Sequence, residues 1–155
     1  MPVFGAKLVW RRVLCTAALA TGNLSPLRLY ADQAHDVLAK INYVAAALAA
    51  GNPIDAMTPF DRSFANYVKL RDYFSGLTDS SQLVNEVDVT DEQDAASESN
   101  VTAAWTLTLT NKTTLQTERR SGEIHIRLTL QNGKWKIVDF SPLELFNPQW
   151  KQESK

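Results

Sequence analysis

At 155 residues the chain is long enough for one domain whose core needs no metal or disulfide support. A formal charge of −1 argues against a nucleic-acid binder, which would carry a basic excess or stripe. With 45% apolar residues and no run of about 18 of them, the composition is that of a globular protein without a membrane-spanning helix.

The N-terminus reads as a processed segment. Lys7, Arg11 and Arg12 form a basic start before the short apolar run Val13-Leu-Cys-Thr-Ala-Ala-Leu-Ala20. Ala18-Leu-Ala20 supplies an A-x-A cleavage signature and Leu29-Tyr-Ala31 a second one, while Arg11-Arg12 is a low-specificity match to a twin-arginine leader. Residues 1–31 are therefore expected to be an export leader of a periplasmic or secreted protein, cleaved after Ala20 or Ala31. The alternative is an N-terminal arm of a cytoplasmic protein. Cys15 is the single cysteine, so cleavage would leave a mature chain with none and no cysteine nucleophile.

Asp32 is positioned as the N-cap of a first helix. Val37, Ile41, Val44 and Leu48 recur at helical spacing, Leu38 and Ala45 widen the stripe, and Gly51-Asn52-Pro53 stops it. A second helix is expected from Thr58, with Pro59 at its first position and Asp61 at capping-box spacing. Its apolar face would be Phe60, Phe64, Tyr67, Val68 and Phe74, ending near Gly76.

After Thr78 the period falls to two. Leu83, Asn85, Val87 and Val89 alternate with Val84, Glu86 and Asp88, and Thr90-Asp-Glu-Gln-Asp94 reads as a turn. Val101, Ala103, Trp105, Leu107 and Leu109 alternate with threonines, as in a half-exposed strand, before a polar connection at Asn111-Lys-Thr-Thr114. Ile124, Ile126, Leu128 and Leu130 then lead into Asn132-Gly133, the signature of a two-residue type I′ hairpin. That turn sets Leu130 opposite Trp135, Leu128 opposite Ile137 and Ile126 opposite Asp139, all on the buried face. Glu123, His125, Arg127, Thr129, Lys136, Val138 and Phe140 fall on the other face.

Helices followed by a meander ending Ile124-His-Ile-Arg-Leu-Thr-Leu-Gln-Asn-Gly-Lys-Trp-Lys-Ile-Val-Asp-Phe140, with Ala49-Ala-Gly-Asn-Pro53 after the first helix, resemble the NTF2-like superfamily of cone-shaped domains. The resemblance spans residues 32–148, leaving 149–155 as a polar tail. It implies an α+β fold with N-terminal helices packed in a strongly curved, mainly antiparallel sheet. It also implies a pocket at the mouth of the cone and dimerisation through the outer sheet face. Superfamily members include isomerases, dehydratases and assembly modules, so fold alone does not carry function.

The residues then narrow the chemistry. His35 lies off the apolar stripe and His125 on the wet face, which supplies no metal cluster, and no cofactor site is expected. Asp139, on the face read as buried, would need a partner or a raised pKa, although a strand end before Ser141-Pro142 is also a place for solvation. Arg71 falls among the aromatic residues of the second helix, where it either snorkels or reaches into the cone. The resemblance places a small apolar or anionic ligand near Tyr67, Arg71, Trp105, Trp135 and Asp139. The six carboxylates between Glu86 and Glu98 read as a solvated hairpin tip, since no spaced glycine makes them a calcium loop. Arg119, His125, Arg127, Val138 and Phe140 form a mixed apolar and charged patch, suited to a homodimer seam. The reading is a ligand-binding or accessory module. The alternatives are a cofactor-independent isomerase, dehydratase or hydrolase with Asp139 as general base, or a structural dimeric subunit with a filled cone.

Overall fold

A computed structural model describes residues 26–150, with side chains from residue 32 onward. The basic start, the apolar run and Cys15 lie outside the described residues. The first helix, α1, is Pro26–Ala49, so Asp32 sits inside it rather than capping it, and Leu29-Tyr-Ala31 is helical. The expected boundary between residues 31 and 32 therefore crosses a continuous helix. Val37, Ile41, Val44 and Leu48 are buried, as the helical spacing predicts.

Gly51, at φ 71°, ends α1 because only a residue without Cβ takes that left-handed conformation freely. The Gly51 N–H donates to the Leu48 carbonyl and the Asn52 N–H to the Ala47 carbonyl, which satisfies two orphan acceptors of the last turn. Asn52 then caps the short helix α2, Pro53–Ala56, accepting from the Asp55 N–H at 3.1 Å with Pro53 at the first position.

The second expected helix starts later than Thr58-Pro59 suggests. Ile137 donates its N–H to the Pro59 carbonyl and accepts from the Asp61 N–H, so Phe60 forms a parallel bridge to the sheet instead of a helical turn. Helix α3 is Tyr67–Ser80, and it buries Leu70, Phe74, Leu77 and Thr78. Val68, assigned to the apolar face, is 57% exposed. Starting the helix nine residues after Thr58 leaves Phe60 and Phe64 to be buried from loop backbone.

Four antiparallel strands follow in simple meander order: β1 Ser81–Ala95, β2 Glu98–Asn111, β3 Thr117–Gln131 and β4 Lys134–Ser141. A 3-10 turn, Glu144–Phe146, closes the described chain. This is an α+β domain whose curved sheet wraps its helices. The hairpin at Asn132-Gly133 forms as expected, both residues at positive φ (50° and 74°), with Gln131 opposite Lys134 and Leu128 opposite Ile137.

The interior of the curve is packed with rings. Trp105 lies 5.3 Å from Phe146 and 5.9 Å from Phe140, Phe60 lies 5.5 Å from Phe140, and Phe74 lies 5.4 Å from Phe146. Most of these contacts are edge-to-face, the arrangement ring quadrupoles favour. Trp105 satisfies its indole N–H on Asn85 Oδ1 at 2.9 Å, and Asn85 in turn donates to the Ala45 carbonyl of α1 at 3.0 Å. No described helix is long and apolar enough to cross a membrane.

Candidate functional site

Two β-bulges decide which carboxylates face the helices. On β4, Ile137 lies opposite Leu128 but Asp139 lies opposite Arg127, so Val138 is an extra residue. The pleat steps by one. Phe140, opposite Ile126, turns inward and is fully buried, while Asp139 turns outward and accepts the Phe140 N–H at 2.9 Å. The expected pairing of Ile126 with Asp139 is thus corrected, and Asp139 and Phe140 exchange faces. Phe140 offers nothing to the outer surface.

On β1 the same device works in the opposite sense. Val89 lies opposite Ala103 and Asp91 opposite Thr102, leaving Thr90 as the extra residue, its hydroxyl donating to the Thr102 carbonyl. Beyond it Glu92 faces Val101 and Asp94 faces Ser99, on the same side as Val87 and Val89. The stretch expected to be a turn is therefore strand, with the reversal at Ala96 and Ser97. Two of the six carboxylates read as a solvated tip point to the inner face.

Their surroundings are unsatisfied. Glu92 Oε1, Asp94 Oδ1 and the Ser99 hydroxyl are buried and have no hydrogen-bond partner among the described residues. Burial, with the neighbouring Asp94 carboxylate, pushes the Glu92 carboxyl above its ordinary value. Gln33 of α1 flanks the cluster by donating to the Ala95 carbonyl at 2.8 Å. A pair of acceptors and a hydroxyl on one wall can hold a donor-rich or cationic group, and a carboxyl with a raised pKa holds its proton more tightly than an ordinary one.

The five residues expected to line a pocket do not converge. Trp105 is core, 1% exposed. Arg71 is solvent-facing on α3 and pairs with its neighbour Asp72 at 2.8 Å. Tyr67 lies on an open groove of about 540 Å³ with Asp61, Arg62 and Lys136, where the Ser63 hydroxyl and N–H hold the Asp61 carboxyl below its ordinary value. Trp135 borders a separate groove with Lys40 and Tyr43, and Asp139 a shallow one with His125 and Arg127 on the outer side. His35 and His125 are exposed. Among the described residues no group of three or more His, Cys, Asp or Glu is arranged to hold a metal ion.

The helices held by a curved four-stranded antiparallel meander have the NTF2-like α+β fold. Solved structures with this fold include a protein of unknown function from Mycobacterium tuberculosis, at TM-score 0.65 and 17% identity, covering 77% of this chain and 75% of that one. An NTF2-like superfamily protein from Salmonella enterica serovar Typhimurium matches at TM-score 0.58 and 11% identity, over 69% of this chain and 88% of that one. A ketosteroid isomerase-like protein from Erwinia carotovora atroseptica matches at 0.59 and 13%, over 68% and 91%. At these identities the likeness is one of fold. No protein-family model matches the sequence, nor does any curated protein sequence.

Proposed function

We propose that this domain binds a small molecule against the inner face of its sheet, where Glu92, Asp94 and Ser99 receive the ligand's polar end. The observation that carries this reading is the cluster of three buried oxygens without hydrogen-bond partners among the described residues. Leaving a buried polar atom unmet costs about 1–3 kcal/mol, so such a cluster is costly unless something meets it. The sign of the charge favours a cationic or donor-bearing ligand over the anionic one that Arg71 suggested. Val87 and Val89, half-buried on the same face, would contact its apolar part.

A second reading, proton-transfer catalysis without a cofactor, is favoured by one observation, the raised Glu92 carboxyl. The ketosteroid isomerase-like description of the Erwinia protein agrees with that class of chemistry. In this reading Glu92 replaces Asp139 as general base.

A thermal-shift panel of primary amines, amidines and hydroxylated aromatic compounds tests the binding. A ligand at 100 times its Kd adds about 2.7 kcal/mol, which raises Tm by roughly 5–10 °C in a chain of this size. The rise should vanish in the double variant Glu92→Gln, Asp94→Asn. A panel without any shift, or a shift that the double variant retains, overturns the reading.

A further inference from the structure

β4 covers only half of β3. It pairs with β3 from Gln131 back to His125 and ends at Ser141, where Pro142 has no N–H to continue the ladder. Residues 117–124 of β3 are hydrogen-bonded to β2 on one side and, among the described residues, to no strand on the other. Six consecutive residues, Arg119 to Ile124, border one open groove of about 600 Å³. Consecutive residues point to opposite faces, so they share a groove only where a strand presents its edge. On the far wall the Trp150 indole N–H is buried and has no partner among the described residues. Bare strand edges are templates for another strand.

We infer that this edge pairs antiparallel with the same edge of a second copy, about a twofold axis through Ser121, joining two four-stranded sheets into one of eight. The choice of a second copy rests on charge. Arg119 and Glu123 stand two residues either side of Ser121 on the outer face. The axis therefore sets each Arg119 directly opposite the partner's Glu123, twice per dimer. Cross-strand opposite charges at that separation attract. Among the described residues of one subunit both groups hold only long, exposed contacts, Arg119 to Glu86 and Glu123 to His125, each at 3.5 Å. Shifting the axis to Arg120 would set two arginines against each other, and shifting it to Gly122 would set Arg119 against histidine. Arg120 points inward and does not charge the edge, because its guanidinium is taken up by Glu118 and by the carbonyls of Leu145, Asn147 and Gln149. The seam differs from a face-to-face dimer of outer surfaces, to which the buried Phe140 could not contribute.

Sedimentation of the full chain across a concentration series tests the pairing, with circular dichroism melts confirming that each variant folds. The wild type should dimerise, with exchange of the amides of 119–123 slowing as dimer accumulates. Arg119→Glu places like charges opposite each other at both symmetric positions and should weaken the dimer at least about tenfold. The double exchange Arg119→Glu, Glu123→Arg should restore it to within about threefold of wild type, since it only reverses the pair. A wild type monomeric at every concentration overturns the inference, and amides protected in that monomer would mean that the chain's own residues cover the edge. A dimer indifferent to Arg119→Glu, or a double variant that stays weak, overturns it equally.

Discussion

Replacing Arg120 with methionine removes the side chain whose hydrogen bonds tie the backbone at the end of the described chain to the sheet. The guanidinium sits on β3, 7% exposed, and donates five hydrogen bonds: two to the Glu118 carboxylate and three to the carbonyls of Leu145, Asn147 and Gln149. Methionine keeps most of the stem's packing and none of the donors. Taking away one partner of a buried ion pair costs about 3–5 kcal/mol. Here the lower end applies, because the groove beside Arg120 is open and water can reach the abandoned oxygens. A loss of about 3 kcal/mol corresponds to a fall in Tm of roughly 6–12 °C. The segment carrying Leu143, Leu145 and Phe146 should loosen first, since Phe146 packs into the rings around Trp105 while Arg120 holds the flanking carbonyls of Leu145 and Asn147. Calorimetry measures the first effect, and amide exchange over residues 143–150 the second. A Tm within 2 °C of wild type, with unchanged protection over that segment, would refute the assignment of Arg120 as its anchor.

Asn85→Leu should destabilise by about 2 kcal/mol in urea denaturation, because it strands the Trp105 indole N–H in the core and breaks the bridge to the Ala45 carbonyl; a change under 0.5 kcal/mol would show the bridge to be dispensable. Glu92→Gln should alter the pH dependence of stability. The folded carboxyl binds its proton more tightly than the unfolded one, so the wild type loses stability as pH rises from about 4.5, the ordinary glutamate value, through the folded pKa. Glutamine does not titrate, so the variant's advantage should grow across that window and then level off. A difference that is flat between pH 4 and 8 would contradict a raised Glu92.

Much of the scaffold is legible in the residues themselves. The α1 stripe from Val37 to Leu48, the glycine stop at Gly51, the Trp105 strand and the Asn132-Gly133 hairpin each rest on a local pattern that tertiary contacts reinforce. What misleads is long-range. Phe60 and Phe64 have helical spacing, yet the two backbone bonds to Ile137 bind that segment to a strand 77 residues away. Arg71 looks interior only if the helix is taken to begin at Thr58. Glu92 and Asp94 were obscured because an acidic stretch after Val89 resembles a turn. Their inward facing follows from the bulge at Thr90, a feature of the pairing with β2 that no local pattern announces. Asp139 had its own signal, in that the apolar sequence Trp135, Ile137, Phe140 steps two and then three, a break in phase that a flat strand cannot produce.

Those two extra residues, Thr90 and Val138, also show how such a sheet tolerates a change of length. Deleting either one is a single in-frame codon loss. Without Thr90, Val89, Asp91 and Glu92 would face Ala103, Thr102 and Val101 in unbroken register, so Glu92 and Asp94 would still point inward; without Val138, Asp139 would stay outward and Phe140 inward. An extra residue held as a bulge is absorbed where it occurs, whereas one threaded into the regular ladder would send every residue beyond it to the opposite face. Strand length and the lining of the interior can therefore vary independently, one codon at a time, without exchanging the ring cluster for the acidic end.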